Sequence, residues 1–311
     1  MLKKYFLPGG MLIAVILSIF FPGTGIALKK SCGSSFFIIA IFLVCGWQTE
    51  LSGLKFDRKF FLSLAWCGIL SLLIAPFVGV GIAGIMRLDA LATTGLVVMA
   101  SVPPTLSSGI VMTETARGNV VLGMIMTVFY NLIGVITLPL TLSWALSGCG
   151  DIDTNPLKMF LQLLLLVILP FAIGAGAKKL SGKKLPSICS YIPSLCVILL
   201  ILSFFSSANQ QFRNYPLPVL GLAAASGLIM RLGLMAILWF GGKLFKMNIA
   251  DRKAAIFTAG SKTLTIALAT LAIMDSGDGP AVIPCMVFYF LQSIIDSALA
   301  GKFASFNTKT Y

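Results

Sequence analysis

The chain reads as an all-α integral membrane protein of ten transmembrane helices, built as two inverted five-helix repeats with the fourth and ninth helices broken. Three observations predict this. Of its 311 residues 58% are hydrophobic and only 11% are charged, whereas a soluble domain carries about a quarter charged. Apolar runs of the roughly 20 residues needed to cross a bilayer recur along the whole length. Basic residues, finally, are sorted between alternating connections, as in chains threaded back and forth through a membrane.

Charge clusters, prolines and glycines divide the sequence into spans at 6–26, 33–51, 59–85, 91–116, 119–147, 156–177, 187–207, 216–242, 252–274 and 280–301. The first follows Lys3-Lys4 and imitates a signal peptide, but no small-x-small cleavage site follows it, so it is read as a retained helix. The second lies between Lys29-Lys30 and the Lys55 to Lys59 cluster, and the third runs from there to Arg87. The fourth is interrupted by Pro103-Pro104 and closes at Arg117; the fifth carries Asn131 at membrane depth. The sixth lies between Lys158 and Lys178-Lys179. The seventh ends in a polar run from Ser206 to Gln211 that reads as a wet loop. The eighth closes at Lys243, the ninth opens after Arg252-Lys253, and the tenth closes at Lys302. The connections are short, so residues 1–311 read as a single transmembrane domain.

Sixteen of the 23 Lys and Arg residues fall in connections on the side of the N-terminus, and five, Lys29, Lys30, Arg87, Lys158 and Arg213, on the other. Positive connections stay in the cytoplasm, which predicts a bacterial inner-membrane protein with both termini cytoplasmic. The formal net charge of +13 is thereby explained by orientation and calls for no nucleic acid. The seven cysteines lie mostly in apolar runs, have no metal-site spacing and read as small hydrophobes. The absence of histidine removes the commonest general base and metal ligand, and with it most hydrolase and zinc chemistry.

The two remaining basic residues, Arg231 and Lys262, lie inside spans. Lys262 is ten residues beyond Arg252, about 15 Å deep at the helical rise. Charges at that depth are costly and usually mark pathways; the plainer reading of Lys262 is a lysine paired with backbone carbonyls. Arg231 pairs most simply with Asp296, the acidic residue well inside span ten.

In span four, Pro103-Pro104 removes two backbone donors, so a continuous helix is not expected. The polar stretch Thr105, Ser107, Ser108, Gly109 follows, with Thr105 placed to cap a second half-helix. The positive end of that half-helix would favour an anion. Span nine carries Thr258, Gly260, Ser261, Lys262, Thr263 and Thr265 at its centre, a weaker break signal because glycine alone does not stop a helix. These are the fourth spans of two five-span halves. An odd number of spans per half forces the second half to lie inverted. Inverted repeats with breaks at matching positions point to a transporter site near the midplane.

The segments PPTLSSGIVMTETARGN, VVLGMIMTVFYN and DRKAAIFTAGSKTLTIALA, in this order and spacing, resemble those of the bile acid:sodium symporter superfamily, most of all its SBF-like branch. The resemblance implies a panel of spans 1, 2, 6 and 7 beside a core of spans 3, 4, 5, 8, 9 and 10, with spans 4 and 9 crossing at their breaks. It implies sodium beside the crossing and an organic anion in the cavity against the panel. Carried over, it places Pro104, Thr105, Ser107, Ser108 and Gly109 at one half-site, with Thr127 and Asn131 facing them from span five. Thr258, Gly260, Ser261, Lys262 and Thr263 form the other half, and Ser71, Arg231 and Asp296 are secondary candidates. The chain departs from the pattern with Thr258 where the symporters have an acidic residue and Lys262 where they have a glutamine. Either the ammonium stands permanently in place of a cation or it couples transport to protons.

The function expected is a secondary transporter of a small organic anion coupled to a cation, with no cofactor other than a sodium ion and the lipid bilayer as its surroundings. Two other classes compete: a non-transporting regulator of ion homeostasis, and a membrane enzyme using Ser261-Lys262 as a nucleophilic pair. Adjacent helical residues point about 100° apart, which disfavours the enzyme. The oligomeric state is left open by the sequence.

Overall fold

In lipid a backbone N–H or C=O has no water to turn to, so a spanning segment must satisfy itself internally. A computed structural model describes residues 2–49, 58–106, 108–147, 155–182, 185–209, 216–274 and 281–305, and every regular element among them is helical. In chain order these are α1 (Leu2–Phe20), α2 (Pro22–Gln48), α3 (Arg58–Gly68), α4 (Ala75–Met86), α5 (Ala90–Ser101), α6 (Ser108–Thr115) and α7 (Val120–Leu146). They continue with α8 (Pro156–Leu163), α9 (Leu169–Ser181), α10 (Ile192–Ser207), α11 (Leu217–Leu244), α12 (Ile249–Ala254), α13 (Leu264–Ile273) and α14 (Val282–Ser305).

Among the described residues, seven stretches are long and apolar enough to cross a membrane: Pro22–Gln48, Phe60–Met86, Val120–Leu146, Pro156–Ser181, Leu217–Leu244, Ile249–Ile273 and Val282–Ser305. Three shorter apolar helices, Gly9–Phe20, Ala90–Ser101 and Ile192–Ser207, lie where the first, fourth and seventh spans are expected. The chain is therefore a multi-pass membrane protein.

The first connection differs from expectation. Pro22 cannot continue α1 and instead opens α2, so Lys29 and Lys30 are helical rather than in a loop. The helix bends at Gly33, whose φ of 69° is open to glycine at little cost. The polar run that begins at Ser206 is not a wet loop in its described part. Ser206 and Asn209 are buried, and the Asn209 amide donates to Ser18 O at 2.6 Å, satisfying a carbonyl at the C-terminal end of α1.

Among the described residues three π-helical turns interrupt the spans: Ile69–Ile74 between α3 and α4, Leu164–Ile168 between α8 and α9, and Ala255–Ala259 after α12. The first two lead into Pro76 and Pro170, each within the first two positions of the helix that follows. A proline has no N–H to return along the helix, and a wider turn accommodates its ring.

Where helices must approach closely, the sequence supplies glycine. A Cβ on Gly46 of α2 would lie 2.1 Å from Phe171 O of α9, and one on Gly174 of α9 would lie 2.0 Å from Leu43 O of α2. The two backbones are thus in direct contact. Gly25 of α2 does the same against α10, where a Cβ would lie 2.5 Å from Leu202 O. Helices α1, α2, α9 and α10 pack chiefly on one another. The other large packing group joins α4, α5, α7, α11 and α14 around the interrupted segments.

Candidate functional site

The site is built around two interruptions. Helix α5 ends at Ser101 and α6 begins at Ser108; because Pro103 and Pro104 bring no N–H, the helical ladder stops there. Past the helix end the three successive carbonyls of residues 102–104 leave the ladder, and each of these finds a donor from elsewhere. Val102 O accepts from Lys262 Nζ at 3.1 Å. Pro103 O accepts from the Thr263 N–H at 3.1 Å, and Pro104 O accepts from Asn131 Nδ2 at 3.1 Å. Buried carbonyls without partners would each cost about 1–3 kcal/mol, so the break is stable only because α7 and the second interruption reach it.

The second interruption separates the π turn Ala255–Ala259 from α13. It is a full break, although its local sequence signals one more weakly than the double proline does. Its stability comes from distant side chains. The Gln292 amide of α14 grips Lys262 on both sides, accepting from its N–H at 2.8 Å and donating to its carbonyl at 2.9 Å. Arg231 of α11 donates to Gly260 O and, at 3.2 Å, to Ile256 O. Its guanidinium also meets Asp296 of α14, with Nε to Oδ1 at 2.9 Å. Ser71 Oγ donates to Ala259 O at 2.6 Å.

Lys262 is fully buried. Its Nζ donates to Ser71 O at 2.6 Å, and Ser71 Oγ and Val102 O lie at 3.2 and 3.1 Å. The first of these carbonyls is also free because of a proline. In the π turn, the Ala75 N–H reaches back five residues to Leu70 O. The next bond in that register would run from residue 76 to Ser71 O, and Pro76 has no N–H to make it.

The two interruptions cross in contact. Besides the Thr263 to Pro103 bond, Thr105 Oγ1 and Ser261 Oγ lie 3.2 Å apart, and Thr113 Oγ1 and Thr258 Oγ1 lie 3.1 Å apart. Thr105 caps α6 by accepting from the Gly109 N–H at 3.0 Å, and it accepts from Ser108 Oγ at 2.9 Å. Gly109 permits the approach, since a Cβ there would lie 2.8 Å from Phe257 O. A cavity of about 30 Å³ opens beside the crossing, lined by Thr105, Ser108, Thr263, Thr265 and Tyr289 on one side and by Ile41, Pro193, Ser194 and Val197 of α2 and α10 on the other. The N-terminal ends of α6 and α13 both border it.

Of the residues singled out in the sequence, Pro104, Thr105, Ser108, Gly109, Asn131, Thr258, Gly260, Ser261, Lys262, Thr263 and Ser71 come together here, with Arg231 and Asp296 behind them. Ser107 lies outside the described residues. Thr127 is buried, but its hydroxyl turns back to Gly123 O of its own helix at 2.9 Å. Asn131 Oδ1 is buried with no hydrogen-bond partner. Ser261 Oγ donates to Thr258 O at 2.8 Å while Lys262 Nζ points to Ser71 and Val102, so the two share no proton. Sequence reading missed Thr113, Tyr289 and Gln292. Gln292 carried a signal: it is an amide inside a span, one helical turn before Asp296 and therefore on the same face.

Residues 5–305 match the SBF-like CPA transporter family. A protein of Oryza sativa subsp. indica described as "Probable sodium/metabolite cotransporter BASS4, chloroplastic" is 26% identical over 324 residues, covering 96% of this chain and 75% of the relative. "Sodium/bile acid cotransporter 7" of Danio rerio is 24% identical over 214 residues, 66% of this chain and 63% of the relative. An uncharacterized protein of Pseudomonas aeruginosa is 26% identical over 218 residues, 68% and 65% of the two chains.

Proposed function

Because the chain belongs to the SBF-like CPA transporter family, and is thus a transporter rather than an enzyme, we propose that it is a secondary-active carrier of a small organic anion, coupled to a cation. The observation that carries the reading is the contact between two interrupted helices beside a small cavity. Two helix N-termini and the hydroxyl-bearing residues Thr105, Ser108, Thr263, Thr265 and Tyr289 border that cavity. Helix N-termini favour negative charge, and hydroxyls donate to carboxylate oxygens without fixing the remainder of the ligand. The names of the relatives as sodium cotransporters support coupling to a cation.

The architecture proposed is ten spans in two inverted repeats of five. The seven long stretches and three shorter apolar helices, with the breaks in the fourth and ninth positions, support it. Spans 1, 2, 6 and 7 form the panel and the rest the core of one domain, and the mutual packing of α1, α2, α9 and α10 supports this division. At about 30 Å³ the cavity holds no more than a water or two. Admission of a carboxylate therefore requires α2 and α10 to move away from the crossing. The uneven distribution of basic residues supports an inner-membrane location with cytoplasmic termini.

Uptake into proteoliposomes tests the function, using radiolabelled short-chain carboxylates with and without inward sodium and proton gradients. Accumulation of at least one carboxylate above protein-free vesicles, reduced severalfold in Thr105→Ala, is expected. Ion leakage with no carboxylate uptake under any gradient would instead indicate a regulator of ion homeostasis.

A further inference from the structure

We infer that the Lys262 ammonium is a resident cation: it fills an oxygen cage at the crossing that takes a sodium ion when the lysine is removed. The cage consists of Ser71 O, Ser71 Oγ and Val102 O, at 2.6, 3.2 and 3.1 Å from Nζ. Carbonyl and hydroxyl oxygens of this kind are the ligands hard cations choose. The inference deepens the transporter reading by assigning one cation position of the same site, and it rests on that reading only for its consequence in transport.

The cage is not made by the lysine. Ser71 O is free because Pro76 has no N–H to give it, and Val102 O is free because the ladder stops at Pro103-Pro104. Both carbonyls would be released whatever side chain stood at position 262. They converge from two different spans on one point, which is what coordination of an ion requires and what helix packing by itself does not produce.

The charge balance excludes a second ion beside the first. Among the described residues no carboxylate pairs with Lys262, and Asp296 is taken by Arg231. Thr258, which faces Thr113 across the crossing, brings no negative charge. A metal ion in the same cage would meet the ammonium at close range in a low-dielectric interior. The three oxygens also match the three N–H donors of an ammonium, whereas a neutral amine would turn its lone pair toward an acceptor.

Equilibrium binding of radioactive sodium to detergent-purified protein tests this without any knowledge of the substrate. Lys262→Ala is expected to bind one sodium ion per chain more than the wild type. Its Tm is expected to rise by several degrees from choline chloride to sodium chloride, beyond any rise the wild type shows. In Lys262→Met the side chain fills the cage without charge, so no sodium should be gained. Adding Ser71→Ala to Lys262→Ala should weaken the gained sodium at least tenfold. Equal sodium stoichiometry in the wild type and Lys262→Ala, with a lowered Tm that sodium does not restore, would reduce the lysine to a structural donor and overturn the inference. Should Lys262→Ala not accumulate, Lys262→Ser is read in the same way. Failure of carboxylate uptake with the sodium gain intact would overturn only the transporter reading.

Discussion

Arg231 is fully buried, and Asp296 is about 5% exposed. The pair is not merely two opposite charges, because the guanidinium also holds the carbonyls of Ile256 and Gly260 at the end of the π turn. Removing either partner leaves an unpaired charge in the interior, a loss of roughly 3–5 kcal/mol. Arg231→Met and Asp296→Leu are each expected to lower Tm sharply. The double variant should recover much of the loss from Asp296→Leu, since no charge is left unpaired. It should stop short of the wild type, because the two carbonyls remain without a donor. Thermal unfolding of the four proteins in one detergent measures this. A double variant no better than the worse single one would mean that the carbonyl contacts, and not the charge balance, dominate.

Among the elements, α2 and α9 touch backbone to backbone at Gly46 and Gly174, where an added Cβ would lie about 2 Å from a carbonyl oxygen of the other helix. Neither carbonyl is the end of a flexible side chain, so the helices themselves must separate. Gly46→Ala and Gly174→Ala are each expected to cost about 1–3 kcal/mol. Because the first substitution already opens the gap the second one needs, their effects should sum to less than additive. Strict additivity in thermal melts would show that the two contacts are independent. The two helix interruptions show how far such elements can be read in advance. Pro103-Pro104 breaks its helix through local chemistry, and that break is legible from the two residues alone. The break at Gly260–Thr263 depends on Arg231, Gln292 and Pro103 O, which lie far away in sequence, so the segment showed only polar residues and one glycine. The importance of Tyr289 likewise appears only when α14 is seen against the crossing, whereas Gln292 was signalled as an amide one helical turn before Asp296. Helix α2 was misread near Lys29 and Lys30 because charge was taken to mean a loop, whereas Pro22 supplies a helix start.

For the molecule as a whole, orientation follows from where the cations lie. The sixteen basic residues assigned to one side against five assigned to the other form a bias of the kind that keeps positive connections in the cytoplasm. The bias predicts that the helical arm carrying Lys29 and Lys30 faces away from the cytoplasm and that the C-terminal end of α11 faces it. Both ends carry usable reporters. Cys32 is exposed next to the first pair, and Lys243 is an exposed residue in the last turn of α11. Cys45, Cys67, Cys196 and Cys285 are buried and should stay silent. With Cys149 and Cys189 changed to serine, a membrane-impermeant maleimide should label Cys32 in intact cells. A Lys243→Cys variant that also lacks Cys32 should label only after permeabilisation. Labelling of both positions from outside would mean an even number of crossings between them, in conflict with two halves of five spans. The reverse pattern would keep the span count and invert the protein, placing the open ends of α6 and α13 on an unchanged midplane but exchanging the sides from which the anion enters and leaves.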